Sequence, residues 1–297
     1  MSVSAAPAER VRPPLTVLVA VVITVVAWAS AFVAIRAVHA HFGAGPLALG
    51  RLAAGTVALT VALLATRRWV RPTAREWALV IGCGVVWFGF YNVALNAAEQ
   101  RLDAGTSAML VNVGPILIAI LAGALLGEGF PRSLLTGAGV AFAGVLLIGF
   151  AGRGGTAADP LGVALCLLSA AAWAIGVTLQ KPVLRRLPAL QVTQMACVAG
   201  MITTLPFAGG LIEDLRSAPA GSIAGVLYLG VVPTALAFGT WAYALTHMNA
   251  GRLGVTTYLV PPLTILLAWP ILSETPHLLA IAGGAVALLG VALARRR

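Results

Sequence analysis

The sequence predicts an all-α integral membrane protein, ten transmembrane helices arranged as two inverted five-helix repeats. Three observations carry this prediction. Of the 297 residues, 60% are apolar and only 9% are charged, with a mean hydropathy of +0.98, where a soluble domain carries about 25% charged residues. Apolar runs long enough to cross a bilayer recur along nearly the whole chain. Short patterns in the first half return in the second at a fixed offset.

So few charges cannot clothe a water-facing surface, which excludes a soluble enzyme. Boundaries of charge, Pro and Gly delimit runs at 15–37, 46–66, 76–98, 103–127, 133–151, 161–181, 189–211, 221–246, 251–272 and 276–294. Segment 1–14, with Arg10, Arg12, Pro13 and Pro14, reads as a polar cytoplasmic tail. The first run is too long for a signal peptide and lacks a small-residue cleavage site, so it is expected to be retained as a span.

Orientation follows from the basic residues, because cytoplasmic loops are enriched in them. One side collects Arg10, Arg12, Arg67, Arg68, Arg71, Arg75, Arg132, Lys181, Arg185, Arg186, Arg252 and Arg295 to Arg297. The other holds Arg36, Arg51, Arg101, Arg153 and Arg216. Fourteen against five places both termini in the cytoplasm and accounts for the net charge of +10 without nucleic acid as a partner.

The repeat is read from paired residues. An offset of 146 takes Pro115 to Pro261, Glu128 to Glu274, Ala104-Gly105 to Ala250-Gly251, Gly137 to Gly283 and Gly144-Val145 to Gly290-Val291. An offset of 145 sets Ala27-Trp28-Ala29 against Ala172-Trp173-Ala174 and Arg36 against Lys181. With five helices per half, the second copy must enter the membrane from the opposite side. Arg36 and Lys181 then mark opposite membrane faces.

At these positions the sequence resembles the EamA-domain family of the ten-helix drug/metabolite transporter superfamily, over essentially its whole length and as two tandem copies. Trp28-Ala-Ser-Ala-Phe32 running to Arg36 is similar to the family's opening W-G-x-x-F…K/R element, and Trp173 to Lys181 to its second copy. Pro46 through Arg51-Leu-Ala-Ala-Gly55 resembles the second-helix stretch that contains an arginine. Ala104-Gly105, Pro115 and Gly127-Glu128 resemble the helix-four signature, whose second copy has Ser273 before Glu274. The resemblance implies repeats at 15–151 and 161–294 around a central cavity, and movement of small metabolites, often amino acids outward across the bacterial inner membrane. The superfamily's aromatic amino-acid exporters are the comparison it suggests.

The search for chemistry yields no phosphate loop of the form G-x-x-x-x-G-K-[ST], so an ATP-driven pump is not expected. Gly137-Ala-Gly139 with Gly144 has the wrong spacing for a nucleotide fingerprint and reads as helix packing, as do the Gly123/Gly127 and Gly221/Gly225 pairs. Cys83, Cys166 and Cys197 lie inside apolar runs and read as buried hydrophobes. His39 and His41 share a short outer loop with few carboxylates, so neither a metal nor any other cofactor is expected, and no residue reads as catalytic. The nine acids fall in loops or within about a turn of a helix end. Antiporters usually keep a carboxylate inside the membrane, so the chain reads as working without one. Glu99, Glu128 and Glu274 are the coupling candidates if water reaches them. Capping, or pairing with Arg132 and its neighbours, is the structural reading of Glu128 and Glu274.

Polar and aromatic residues inside spans are expected to face the interior. Phe88, Asn92, Asn96 and Glu99 form one stripe of span three, with Tyr91 beside it. Span eight offers Phe238 and Trp241, so one wall is amide-bearing and the other aromatic. Trp28, Ser30, Asn112, Trp173, Thr257 and Tyr258 complete the candidate binding surface. Trp69 and Trp77 read as interfacial anchors. Pro115 and Pro261 interrupt spans four and nine as candidate hinges, with Pro182, Pro206, Pro233 and Pro262 as further weak points.

Taken together, the residues and the resemblance read as a secondary exporter of small metabolites, foremost amino acids with aromatic ones favoured, working by alternating access. A multidrug exporter of cationic compounds is the alternative within the superfamily, and an intramembrane enzyme the alternative outside it. The expected partners are the lipid bilayer and a small-molecule substrate. A unit that frames its own cavity is expected to work as a monomer.

Overall fold

The computed structural model describes residues 14–151, 159–272 and 278–295. Among these, every regular element is helical. The first half runs α1 (Leu15–Val38), α2 (Ala44–Thr66), α3 (Ala74–Glu99), α4 (Ala104–Leu125) and α5 (Arg132–Ala151). The second runs α6 (Pro160–Val183), α7 (Ala189–Ser217), α8 (Ala220–His247), α9 (Ala250–Ile271) and α10 (Leu278–Arg295). Among the described residues, eight of these, α1 to α4 and α6 to α9, are long and apolar enough to cross a membrane. α5 and α10 pack against each other.

The polarity of the bundle is inverted relative to a soluble protein. Its outside carries Val22, Leu64 and Leu289, each more than 60% exposed. Its inside encloses Thr24, Arg51, Asn92, Asn96, Glu99, Gln180 and Thr264. A surface of valine and leucine over polar helix interiors requires hydrocarbon outside, since lipid leaves apolar side chains at no cost and penalises polar ones. Trp69 and Trp77, at the ends of α2 and α3, are about half exposed.

The two halves repeat one backbone. α1 and α6 are both 24 residues long, starting at Leu15 and Pro160. α2 and α7 start at the same offset, Ala44 against Ala189. Within α3, residues Gly84–Phe90 widen into a π-helix, and within α8 the matched Gly230–Leu236 do the same. Here Pro233 has no N–H to donate, and the Thr234 hydroxyl bonds the Leu229 carbonyl instead, at 2.8 Å.

α4 is broken at Asn112–Val113, between Ala104–Val111 and Gly114–Leu125. α9 tightens into a short 3₁₀ turn at Thr257–Leu259 in the matched place. Pro115 and Pro261 stand second in the segments that restart, Gly114–Leu125 and Val260–Leu272. Each lacks the N–H that would have bonded the carbonyl four residues back, at Val111 and Thr257, so the α-helical ladder cannot run through.

The widened turns pack across the halves. α7 meets the π-turn of α3 at Gly200, where a Cβ would fall 2.5 Å from Phe88 Cβ. α2 meets the π-turn of α8 at Gly230, where a Cβ would fall 2.5 Å from Ala54 Cβ. Two cations complete the symmetry. Arg36 of α1 donates to the Glu99 carbonyl at the end of α3 at 3.4 Å, and Lys181 of α6 donates to the Leu245 and Met248 carbonyls at the end of α8. Both dock on helix C-termini, where carbonyls are unpaired and the dipole favours positive charge.

Candidate functional site

A cavity lies inside the bundle, beside the π-turn of α3 and the breaks in α4 and α9. α1 lines it with Trp28, Ala31, Phe32 and Ile35, α2 with Arg51, and α3 with Trp87, Tyr91 and Leu95. Val111 and Asn112 come from the break in α4, Trp173 from α6, Phe238 from α8, and Thr257 and Val260 from the break in α9. Each break thus presents residues that a continuous helix would have held in its ladder.

Aromatic rings hold the cavity nearly shut. Trp28 meets Trp173 at 5.7 Å and Phe238 at 5.5 Å edge to face, and Trp241 at 5.0 Å. Trp87 and Phe88 lie 4.9 and 4.4 Å from Phe238. Such pairs add about 0.5–1.5 kcal/mol each beyond the area they bury. The space left among them is about 40 Å³, room for water but far below the roughly 300 Å³ of a small-molecule site. A solute enters only if the rings part.

The polar groups of the cavity are few. Arg51, 3% exposed, donates through Nε to Thr234 Oγ1 at 3.2 Å. That hydroxyl spends its own proton on Leu229, so the π-turn of α8 fixes the guanidinium of α2. Asn112 donates from Nδ2 to the Ala108 carbonyl at 2.6 Å, leaving Oδ1 buried without a partner. Trp173 Nε1 is likewise buried and unpartnered. Thr257 bonds the Gly254 carbonyl at 2.7 Å.

The structure redraws the wall expected of α3. Trp87, within the π-turn, and Tyr91 and Leu95 beyond it line the cavity. Phe88 stacks behind them on Phe238, while Asn92 and Asn96 donate to the Phe88 carbonyl at 2.7 Å and the Ala44 carbonyl at 3.1 Å. Trp241 sits beneath Trp28, fully buried. Ser30 turns away, its hydroxyl 2.7 Å from that of Tyr228. Tyr258 is buried with Met109, Leu134 and Val291, in a separate cluster beside α5 and α10.

Three charged groups also need correction or refinement. Arg51, counted among the outer charges, lies inside the bundle because α2 begins at Ala44. Glu99 ends its helix yet is 0% exposed, and neither carboxylate oxygen has a hydrogen-bond partner. A helix end is therefore not a membrane surface here, and the absence of an enclosed acid, inferred from position alone, does not hold. Glu128 caps a helix other than its own, accepting from the Ala250 and Gly251 N–H groups at 2.8 and 3.2 Å at the start of α9. Glu274 lies outside the described residues. His41, expected to bind no metal, stands 3.1 Å from the Ser222 hydroxyl.

Comparison with known proteins places this geometry. The sequence profile of the EamA-like transporter family matches twice, at residues 15–150 and 160–296. The chain is 35% identical to a probable terminal-alkyne amino-acid exporter of Streptantibioticus cattleyicolor, over 94% of this chain and 93% of the relative. It is 30% identical to an uncharacterized transporter of Bacillus subtilis over 89% and 86% of the two chains. It is 26% identical to a probable amino-acid metabolite efflux pump of Salmonella typhimurium over 91% of each. One solved crystal structure superposes with a TM-score of 0.74 at 20% identity, covering 95% of this chain and 96% of its own, a likeness of fold.

Proposed function

The chain belongs to the EamA-like transporter family, and from that premise we propose that this multi-pass membrane protein is a secondary exporter of amino acids, aromatic ones favoured, acting by alternating access. The reading counts ten spans, adding α5 and α10 to the eight, in two inverted repeats with both termini in the cytoplasm of a bacterial inner membrane. It takes the monomer as the working unit. The observation that carries the proposal is the narrow cavity beside the π-turn of α3 and the breaks in α4 and α9, walled by Trp28, Trp87, Trp173 and Phe238. The relatives named as amino-acid exporter and amino-acid metabolite efflux pump support the substrate class.

Discontinuous helices at mid-membrane are where transporters bend and bind. Pro115 and Pro261 supply matched hinges. Arg36 and Lys181 supply matched clamps, each holding an α3- or α8-type helix end to an α1- or α6-type helix. Releasing one clamp while the other holds opens the cavity to one side only, which is alternating access. Rings that close on about 40 Å³ suit the occluded stage of that cycle.

The same aromatic cage would suit a cationic drug through cation–π contact. The guanidinium of Arg51 in the wall opposes a cation, so the amino-acid reading is preferred. The test is uptake of radiolabelled amino acids into liposomes holding the purified protein, with and without an imposed pH gradient. Saturable uptake of phenylalanine or tyrosine supports the proposal. A response to the gradient would point to a coupling acid among Glu99, Glu128 and Glu274, with Glu99, the enclosed one, the first to substitute. Uptake of cationic dyes with no uptake of any amino acid overturns it.

A further inference from the structure

We infer that the cavity recognises its substrate as a zwitterion, with Arg51 holding the α-carboxylate and Asn112 Oδ1 accepting from the α-ammonium. The inference rests on the amino-acid reading and sharpens it.

Arg51 is a guanidinium enclosed in a bundle whose outside is hydrocarbon. Buried cations of this kind pair with an anion or line a functional path. Among the described residues no carboxylate lies within 4.0 Å of Arg51, and its one hydrogen bond is from Nε to Thr234. The two terminal nitrogens are left to the cavity that Arg51 lines. Anchored at Nε, the planar fork presents parallel N–H groups suited to a carboxylate in bidentate form.

Asn112 supplies the opposite end. Its Nδ2 is committed to the Ala108 carbonyl, which fixes the amide plane and leaves Oδ1 as a buried acceptor with no partner. Buried acceptors in folded proteins are almost always satisfied. An orphan one on a cavity wall points to a donor that arrives with the ligand. An ammonium is a donor without an acceptor, and it matches an amide oxygen as an amine's neutral isostere does not. Arg51 comes from α2 and Asn112 from the break in α4, so the two groups close on the substrate from different helices. The aromatic rings are left for the side chain.

The experiment measures uptake of phenylalanine and leucine into liposomes, each beside its carboxamide and its deaminated carboxylic acid. In the wild-type protein the amino acid is expected to exceed both analogues by about 30-fold or more, as expected when a buried charge loses its partner. Arg51→Gln is expected to erase the preference over the carboxamide, and Asn112→Leu the preference over the deaminated acid. Arg51→Lys, which keeps the charge and loses the fork, is expected to keep only part of the preference. Thermal midpoints in detergent establish that the variants fold, and the wild-type analogue series decides the matter if they do not. Equal uptake of amino acid and carboxamide by the wild type overturns the zwitterion reading while leaving an amino-acid-sized substrate in place. No uptake of either amino acid or analogue overturns the amino-acid reading itself, and this inference with it.

Discussion

The two halves of this chain share a backbone and divide the chemistry. Each has a π-turn at the same place, a broken helix with proline just past the break, and a cation clamping a helix end. The side chains at matched positions differ. Asn92 answers to Phe238, Glu99 to Leu245, Asn112 to Tyr258, and Arg51 to Ala196. At these four positions the first half brings the polar groups and the second brings apolar or aromatic ones, with Phe238 on the cavity wall. On the proposed cycle, symmetry is kept where motion would need two equivalent states and dropped where one asymmetric solute would be bound. Thr234 joins the two, since a residue of the second half's π-turn holds the first half's arginine.

The largest expected effect comes from removing that shared backbone device. Deleting Val85 or Val231 converts either π-turn into a regular helix and rotates the residues beyond it by about 100°. Both deletions are expected to abolish uptake in liposomes, with far-ultraviolet circular dichroism retaining the helical signal. Loss from one deletion alone would break the symmetry argument.

Next in size is the contrast at one matched pair. Phe238→Ala removes a ring that touches Trp28, Trp87 and Phe88, at about 3–5 kcal/mol. Asn92→Leu loses one hydrogen bond to the Phe88 carbonyl and an unpartnered oxygen, about 1 kcal/mol or less. Thermal unfolding in detergent is expected to show the first clearly and the second barely.

Gly200→Val and Gly55→Val test the shared packing. A Cβ at Gly55 would lie 2.9 Å from Thr234 Cγ2, and one at Gly200 2.5 Å from Phe88 Cβ. Each substitution is expected to cost about 1–3 kcal/mol by overpacking, and the two costs are expected to agree. A twofold difference in midpoint shift would sharpen the picture by showing which half tolerates strain.

The smallest effect lies outside the spans. The Gly162 N–H, and after it the Arg101 guanidinium at 3.2 Å, hold the Asp159 carboxylate below the usual carboxylate range. A lowered value contributes stability above about pH 4, lost as pH falls through the folded-state value. The thermal midpoint is expected to fall slightly more in that window for the wild type than for Asp159→Ala.

Much of the fold was legible because membrane solvation is a local matter. Apolar runs of span length, and prolines and glycines at a constant offset, gave eight helices now described as membrane-length and the registry between halves. The π-turn was not legible, because nothing in the wholly apolar Gly84–Phe90 distinguishes a widened turn from a regular one. The cavity wall keeps the expected Tyr91 and takes Trp87 and Leu95 in place of Phe88, Asn92 and Asn96, the neighbouring stripe of the same helix. Arg51 was misplaced because a lone charge in an apolar run resembles a boundary. Its position six residues inside the run starting at Pro46, counting Pro46 itself, was the available signal. Glu99 was underrated because nearness to a helix end says nothing of what packs over that end.

The cavity's own tryptophans test the central claim most directly. Of the seven tryptophans, Trp28, Trp87, Trp173 and Trp241 form the cluster, while Trp69, Trp77 and Trp269 are exposed. With those three replaced by Phe, intrinsic fluorescence reports on the cluster alone. Titration with phenylalanine, which has no indole, is expected to shift the emission saturably, with a half-maximum matching that of uptake. Unchanged emission in a protein that still transports phenylalanine would place the substrate path elsewhere and contradict the account.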